Sequence, residues 1–109
     1  MATERDDSTQ FVSMRLDGNN YSYWSYVMEN FLKGKKMWGY VSGTFMIPRN
    51  TDEGYAALID AYEANNSKII TWINNYVEHF IRTQLVRYKT IKEVWDHLQR
   101  LFMQSNFTK

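Results

Sequence analysis

Two histidines, His79 and His97, are the first residues to weigh for acid–base or metal chemistry. Each follows an acid, in Glu78-His79 and Asp96-His97. Adjacent residues on a helix point to different faces, so neither pair converges on one ion. The spacing of the two histidines fits no zinc-ligand pattern. The chain has no cysteine, which excludes disulfides and thiolate metal sites. Asp60 and Glu63, three apart, are better explained as a solvated helix face than as a catalytic carboxylate pair. No glycine-rich phosphate loop and no nucleophile elbow is present. The sequence therefore predicts no catalytic residue, no metal and no cofactor.

Basic residues beside aromatic ones are a second kind of chemistry, because single-stranded nucleic acid is held by cations and stacked rings. Lys33, Lys35 and Lys36 stand just before Trp38 and Tyr40, and Arg87 and Lys89 flank Tyr88 near Arg82 and Lys92. Against this, the formal net charge is only +1, so no long-range pull toward phosphate is built in. The tryptophans also fit core positions. RNA contact through Lys33, Lys35, Lys36, Arg87 and Lys89 is the lesser expectation.

The rest of the composition points to packing. Among 109 residues stand four Trp, eight Tyr and six Phe, and 44% of the chain is apolar. That is enough for one domain with a real core. Tyr and Trp rings bury large area but keep a polar atom in need of a partner, so some of them are expected at the surface. No apolar run approaches the roughly 20 residues that span a bilayer. Residues 1–10 are polar and acidic, unlike a targeting signal, and read as a disordered leader. The default setting is cytoplasmic, with no membrane and no small-molecule substrate.

The elements follow from periodicity. Phe11, Met14 and Leu16 belong to an extended arm that lays them onto helices. Trp24, Val27, Met28, Phe31 and Leu32 recur at helical spacing and predict a first helix from about Tyr21 to Lys33. Asn20 or Ser22 is the expected N-cap, and Gly34 is suited to a left-handed end. Met37 to Val41 is expected as a short turn that tucks Trp38 back under it. Ser42 to Gly54 is the long loop and holds the only proline, Pro48. Its Phe45, Met46 and Ile47 either fold over the core or form a contact surface.

Tyr55, Leu58, Ile59, Tyr62, Asn66, Ile69, Ile70, Ile73, Tyr76 and Val77 trace one stripe, read as a single long helix capped by Thr51 or Asp52. Trp72 falls off this stripe, either against another helix or in water. A short helix follows from His79 to Val86. Thr90 opens the last helix through a capping box with Glu93, ahead of a stripe of Ile91, Val94, Trp95, Leu98, Leu101 and Phe102. The expected fold is an all-α compact bundle of about four to five helices with an extended amino-terminal arm. One helical domain covers residues 11–104, and 105–109 form a tail. Its core anchors are Trp24, Met28, Leu32, Trp38, Ile69, Ile73, Trp95, Leu98 and Phe102.

Leu16-x-Gly18-x-Asn20-Tyr21-x-x-Trp24, then Met28, Leu32 and Trp38-Gly39-Tyr40-Val41-x-Gly43, resembles the opening of the Gag polypeptide of Copia-type LTR retrotransposons of plants. Thr90-x-x-Glu93-x-Trp95-x-x-Leu98 is similar to a closing helix of that family, so the resemblance spans residues 11–103. It implies a fold like the amino-terminal lobe of a retroviral capsid, self-assembling into a shell around element RNA. The family continues into a second lobe and often a Cys/His knuckle. The chain is therefore expected to be a first lobe, a piece cut at a lobe boundary or a shortened host-encoded relative.

The leading reading is a structural protein whose partner is itself, as a homo-oligomer, with contacts at Phe45, Met46, Ile47 and Trp72. The alternative is a domesticated Gag-derived module that binds a heterologous protein.

Overall fold

Trp24 is fully buried, and the indole of Trp95 stacks on it with ring centres 5.8 Å apart. The edge of Trp38 meets the Trp95 face at 5.2 Å. Around these rings five helices assemble among the described residues: α1 Tyr21–Gly34, α2 Trp38–Ser42, α3 Tyr55–Asn75, α4 His79–Leu85 and α5 Ile91–Phe107. The computed structural model describes the backbone of residues 14–107 and the side chains of residues 14–103. The leader read over residues 1–10, and Phe11 of the arm, lie outside them. The last helix runs to Phe107, past the domain end read at 104. The fold is all-α, and no described helix is long and apolar enough to cross a membrane.

The core is one cluster. Leu16, Trp24, Met28 and Leu32 pack with Ile69, Ile73, Ile81, Ile91 and Leu98, all at 0% exposure. Trp95 and Phe102 close its edge at 7% and 8%, while Trp38 is half-buried. Tyr21 stacks on Phe102 at 5.7 Å. Removing a buried ring such as Trp24 costs about 3–5 kcal/mol.

Leu16 is tied down by backbone as well as by packing. Its N–H donates to the Tyr76 carbonyl at 2.8 Å, and the Glu78 N–H returns to the Leu16 carbonyl at 3.0 Å. This isolated parallel bridge, Leu16 to Val77, fastens the arm to the α3–α4 joint. The Trp24 indole N–H donates to the same Tyr76 carbonyl at 3.0 Å, which satisfies the one polar atom of the buried ring.

The helix ends differ from the sequence reading in three places. Asn20 is the N-cap of α1, but its side chain makes no cap bond. It accepts from the Asp17 N–H and donates to the Arg15 carbonyl, so it closes the preceding turn instead. Gly34 is the last helical residue, and the left-handed position falls on Lys36, with φ 61°. The Lys36 N–H bonds the Lys33 carbonyl and the Met37 N–H bonds the Leu32 carbonyl, which is a Schellman ending with lysine where glycine is usual. At α3, neither Thr51 nor Asp52 caps the helix. Gly54 does so in a left-handed conformation, φ 73°, and Asp52 closes a turn with Arg49. The Thr90–Glu93 box forms as read, with N–H to side-chain bonds of 3.2 and 3.1 Å.

The long helix α3 is unbroken, yet only its second half is covered. Asn66, Ile69 and Ile73 are its buried residues, whereas Leu58 is 46% exposed. The first half projects past the core, touched by α2 through Tyr40. That ring meets Tyr62 at 5.4 Å, and its hydroxyl accepts from the Asn65 amide at 2.9 Å. Leu101, read into the α5 stripe, lies at its margin and is 38% exposed.

Candidate interaction surface

No group of three or more His, Asp or Glu able to hold a metal occurs among the described residues. His79 is exposed and His97 half-buried, on different helices. The His97 ring spans the gap between elements. Its Nδ1 meets the Tyr88 hydroxyl at 3.0 Å, and its Nε2 lies 3.4 Å from Gln84 Oε1. Partial burial first, and then the positive charges of Arg87 and Arg100, lower its pKa below the ordinary imidazole value. A histidine kept neutral between a phenol and an amide joins α4 to α5 as a structural strut.

Of the five basic candidates, Lys33, Lys35 and Arg87 lie on aromatic faces of their own chain, and Lys36 and Lys89 do not. Lys35 Nζ sits 5.4 Å from the centre of the Phe31 ring and 5.8 Å from that of Trp72. Lys33 Nζ pairs with Glu29 at 2.7 Å and lies 5.9 Å above Trp38. Arg87 stacks on Tyr88 at 5.0 Å and donates to its hydroxyl. Lys89 serves through its backbone, where its carbonyl accepts from Asn66. Cations seated on rings leave fewer free faces for bases to stack on. Trp72, open between two placements in sequence, packs edge-on against Phe31 at 5.5 Å and is half-buried.

The loop behaves differently. Phe45 turns inward and its ring meets Tyr40 at 5.0 Å. A Cβ added to Gly39 would stand 2.6 Å from that ring, so glycine is what lets the ring reach the helix. The Phe45 N–H also donates to the Gly39 carbonyl at 3.0 Å. Gly43, at φ 92°, ends α2 and turns the chain outward. Thr44 is held by the Ser42 hydroxyl. On the far side, the Arg49 N–H donates to Asp52 Oδ2 at 2.9 Å and the Asp52 N–H to the Arg49 carbonyl at 2.8 Å.

Between these anchors, Met46 is 81% exposed and Ile47 54%. They form an apolar ridge with a hollow on either side. One hollow, about 540 Å³, is lined by Ile47, Pro48, Asp52 and the exposed Leu58 of α3. The other, about 380 Å³, is lined by Tyr40, Phe45, Tyr62 and Lys92. Burial raises the Tyr62 phenol pKa, with the Tyr40 hydroxyl adding to it. Phe45, Met46 and Ile47 are thus brought together with Leu58, a residue that sequence reasoning placed on the apolar stripe of α3. Trp72 is not part of this surface and packs instead against Phe31 of α1.

Together these features define a small all-helical domain whose distinctive groups lie on an outward ridge and not around converging ionisable side chains. Residues 2–49 match the family model described as Gag-polypeptide of LTR copia-type. This part of the chain, a little under half of it, is similar to Copia-type Gag, and the match runs through α1, α2 and the ridge. The Thr90–Leu98 motif lies beyond it. No curated protein and no solved structure matches the chain.

Proposed function

We propose that the chain is a structural, non-catalytic Gag domain that works by protein–protein contact, associating with copies of itself in a particle around element RNA. A cytoplasmic setting is part of the same proposal. One observation carries it. A glycine seat, a left-handed glycine and a closed turn present Met46 and Ile47 to water instead of letting them fold onto the core. Exposed apolar side chains on a preorganised segment favour association, because little freedom remains to be lost on binding. Many weak copies of such a contact suffice for a shell.

Sedimentation velocity over a wide concentration range, with electron microscopy of the most concentrated samples, tests the reading. The expected result is a concentration-dependent rise in sedimentation coefficient. A monomer at every concentration would overturn it.

A further inference from the structure

We infer that two copies of the chain pair about a two-fold axis, each setting its Met46–Ile47 ridge into the other's larger hollow, beside Leu58 and Pro48. This rests on the self-association proposed above and names its surface and symmetry. Three observations select that occupant and that hollow. The ridge and the hollow lie side by side on one face, so a two-fold rotation places each over its counterpart. The ridge is apolar at Met46 and Ile47, and the floor is apolar at Leu58, which the described residues leave 46% exposed.

Charge decides between the two hollows. Arg49 ends the ridge with its side chain 81% exposed, and its pair with Asp52 is loose, a single approach of 3.9 Å. The larger hollow is lined by Arg49 and Asp52, so an incoming Arg49 can take the place of the resident one on Asp52, twice per dimer. The lining of the smaller hollow offers it no acid, only Arg49 and a Lys92 already paired with Asp96 at 2.8 Å. The exposed intrachain pair contributes little where it is, so exchanging it across the interface loses little. Methionine suits the ridge, since its unbranched thioether adapts to an irregular surface.

The experiment is a charge reversal at the end of the ridge. Arg49→Asp puts acid against Asp52 of the other copy, while Asp52 is kept because its carboxylate accepts from the residue 49 N–H and closes the turn. Arg49→Asp is expected to dimerise at least about tenfold more weakly than wild type, the step set by roughly 1.4 kcal/mol. Arg49→Lys, which keeps the sign, is expected to retain the dimer. Met46→Glu, at an exposed site whose substitution leaves the core untouched, is expected to weaken dimerisation by a similar factor with an unchanged circular dichroism spectrum. Tyr26→Glu, exposed on α1, serves as the control and is expected to have no effect.

Association that persists unchanged in Met46→Glu and in Arg49→Asp would overturn the ridge contact while leaving self-association standing. A wild-type chain that never associates would overturn both and leave the ridge to a different protein.

Discussion

Asn66 of α3 holds the start of α5 by both ends of its amide: Oδ1 accepts from the Ile91 N–H at 2.8 Å, and Nδ2 donates to the Lys89 carbonyl at 2.8 Å. It is the one buried polar side chain of the described core, 8% exposed. The bond to Ile91 takes up one of the free N–H groups that every helix start leaves. Asn66→Ala leaves two backbone groups unpaired, at about 1–3 kcal/mol for each group that water cannot reach. Asn66→Leu is expected to be no better, because leucine keeps the volume but not the bonds. Urea denaturation of the three proteins measures both effects, with the midpoint shifted and the slope retained.

Gly39 and Phe45 make a second prediction. Gly39→Ala pushes a methyl into the Phe45 ring, and the ring must leave its seat. The expected outcome is faster hydrogen exchange over residues 44–49, with the Trp24–Trp95 core unaffected. Gly39→Ala together with Phe45→Ala relieves the clash, and is expected to restore helix α2 without restoring the ridge.

Alkali should loosen the arm end of the core. Burial pushes the Tyr21 phenol up from 10.0 to about 12, more than the Ser25 hydrogen bond lowers it. The folded chain thus holds this proton more tightly than the unfolded one. The corresponding stability is fully present below pH 10 and is lost as pH rises from 10 to about 12. Burial raises Tyr62 and Tyr76 too, in the same direction. Tyr21→Phe is expected to flatten the fall in thermal midpoint over that window.

Acid acts through His97. Its folded pKa is lowered, so the unfolded chain takes up this proton first. The contribution is present above the ordinary imidazole value of 6.5 and is lost as pH falls through the lower folded value. Protonation also removes the nitrogen lone pair that faces a neighbour, turning both ring atoms into donors. Nuclear magnetic resonance titration of the imidazole should give a midpoint below 6.5, moving upward when Arg87 or Arg100 is replaced by Gln.

Local chemistry was legible in the sequence, and coverage was not. The Thr90–Glu93 box, the single α3 helix and the burial of Trp24 all follow from spacing within one segment. Gly34 was assigned the left-handed position that Lys36 takes. A helix end can shift by one or two residues at no local signal, and here the Leu32–Met37 contact sets where α1 stops. The stripe from Tyr55 to Val77 says which side of α3 is apolar. It cannot say that only residues 66, 69 and 73 find a lid, since that depends on where α2 and α5 end up. For the same reason Leu58 read no differently from the covered members of the stripe, and Asn66 read as one more member of it when it is a joint. Trp72 needed Phe31 across the interhelical gap before its place could be known. The ridge was half legible: three apolar residues before a proline mark a loop of interest, but the Gly39 seat beneath Phe45 is a contact between elements.

Met46 carries one more consequence. Its side chain belongs to the most exposed of the described methionines, at 81%, whereas Met28 is sealed at 0%. Mild peroxide would therefore oxidise the tip before the interior, turning a greasy thioether into a polar sulfoxide while the helices keep their shape. The proposed contact hangs on an atom that a passing oxidant can reach, and that methionine sulfoxide reductases can restore.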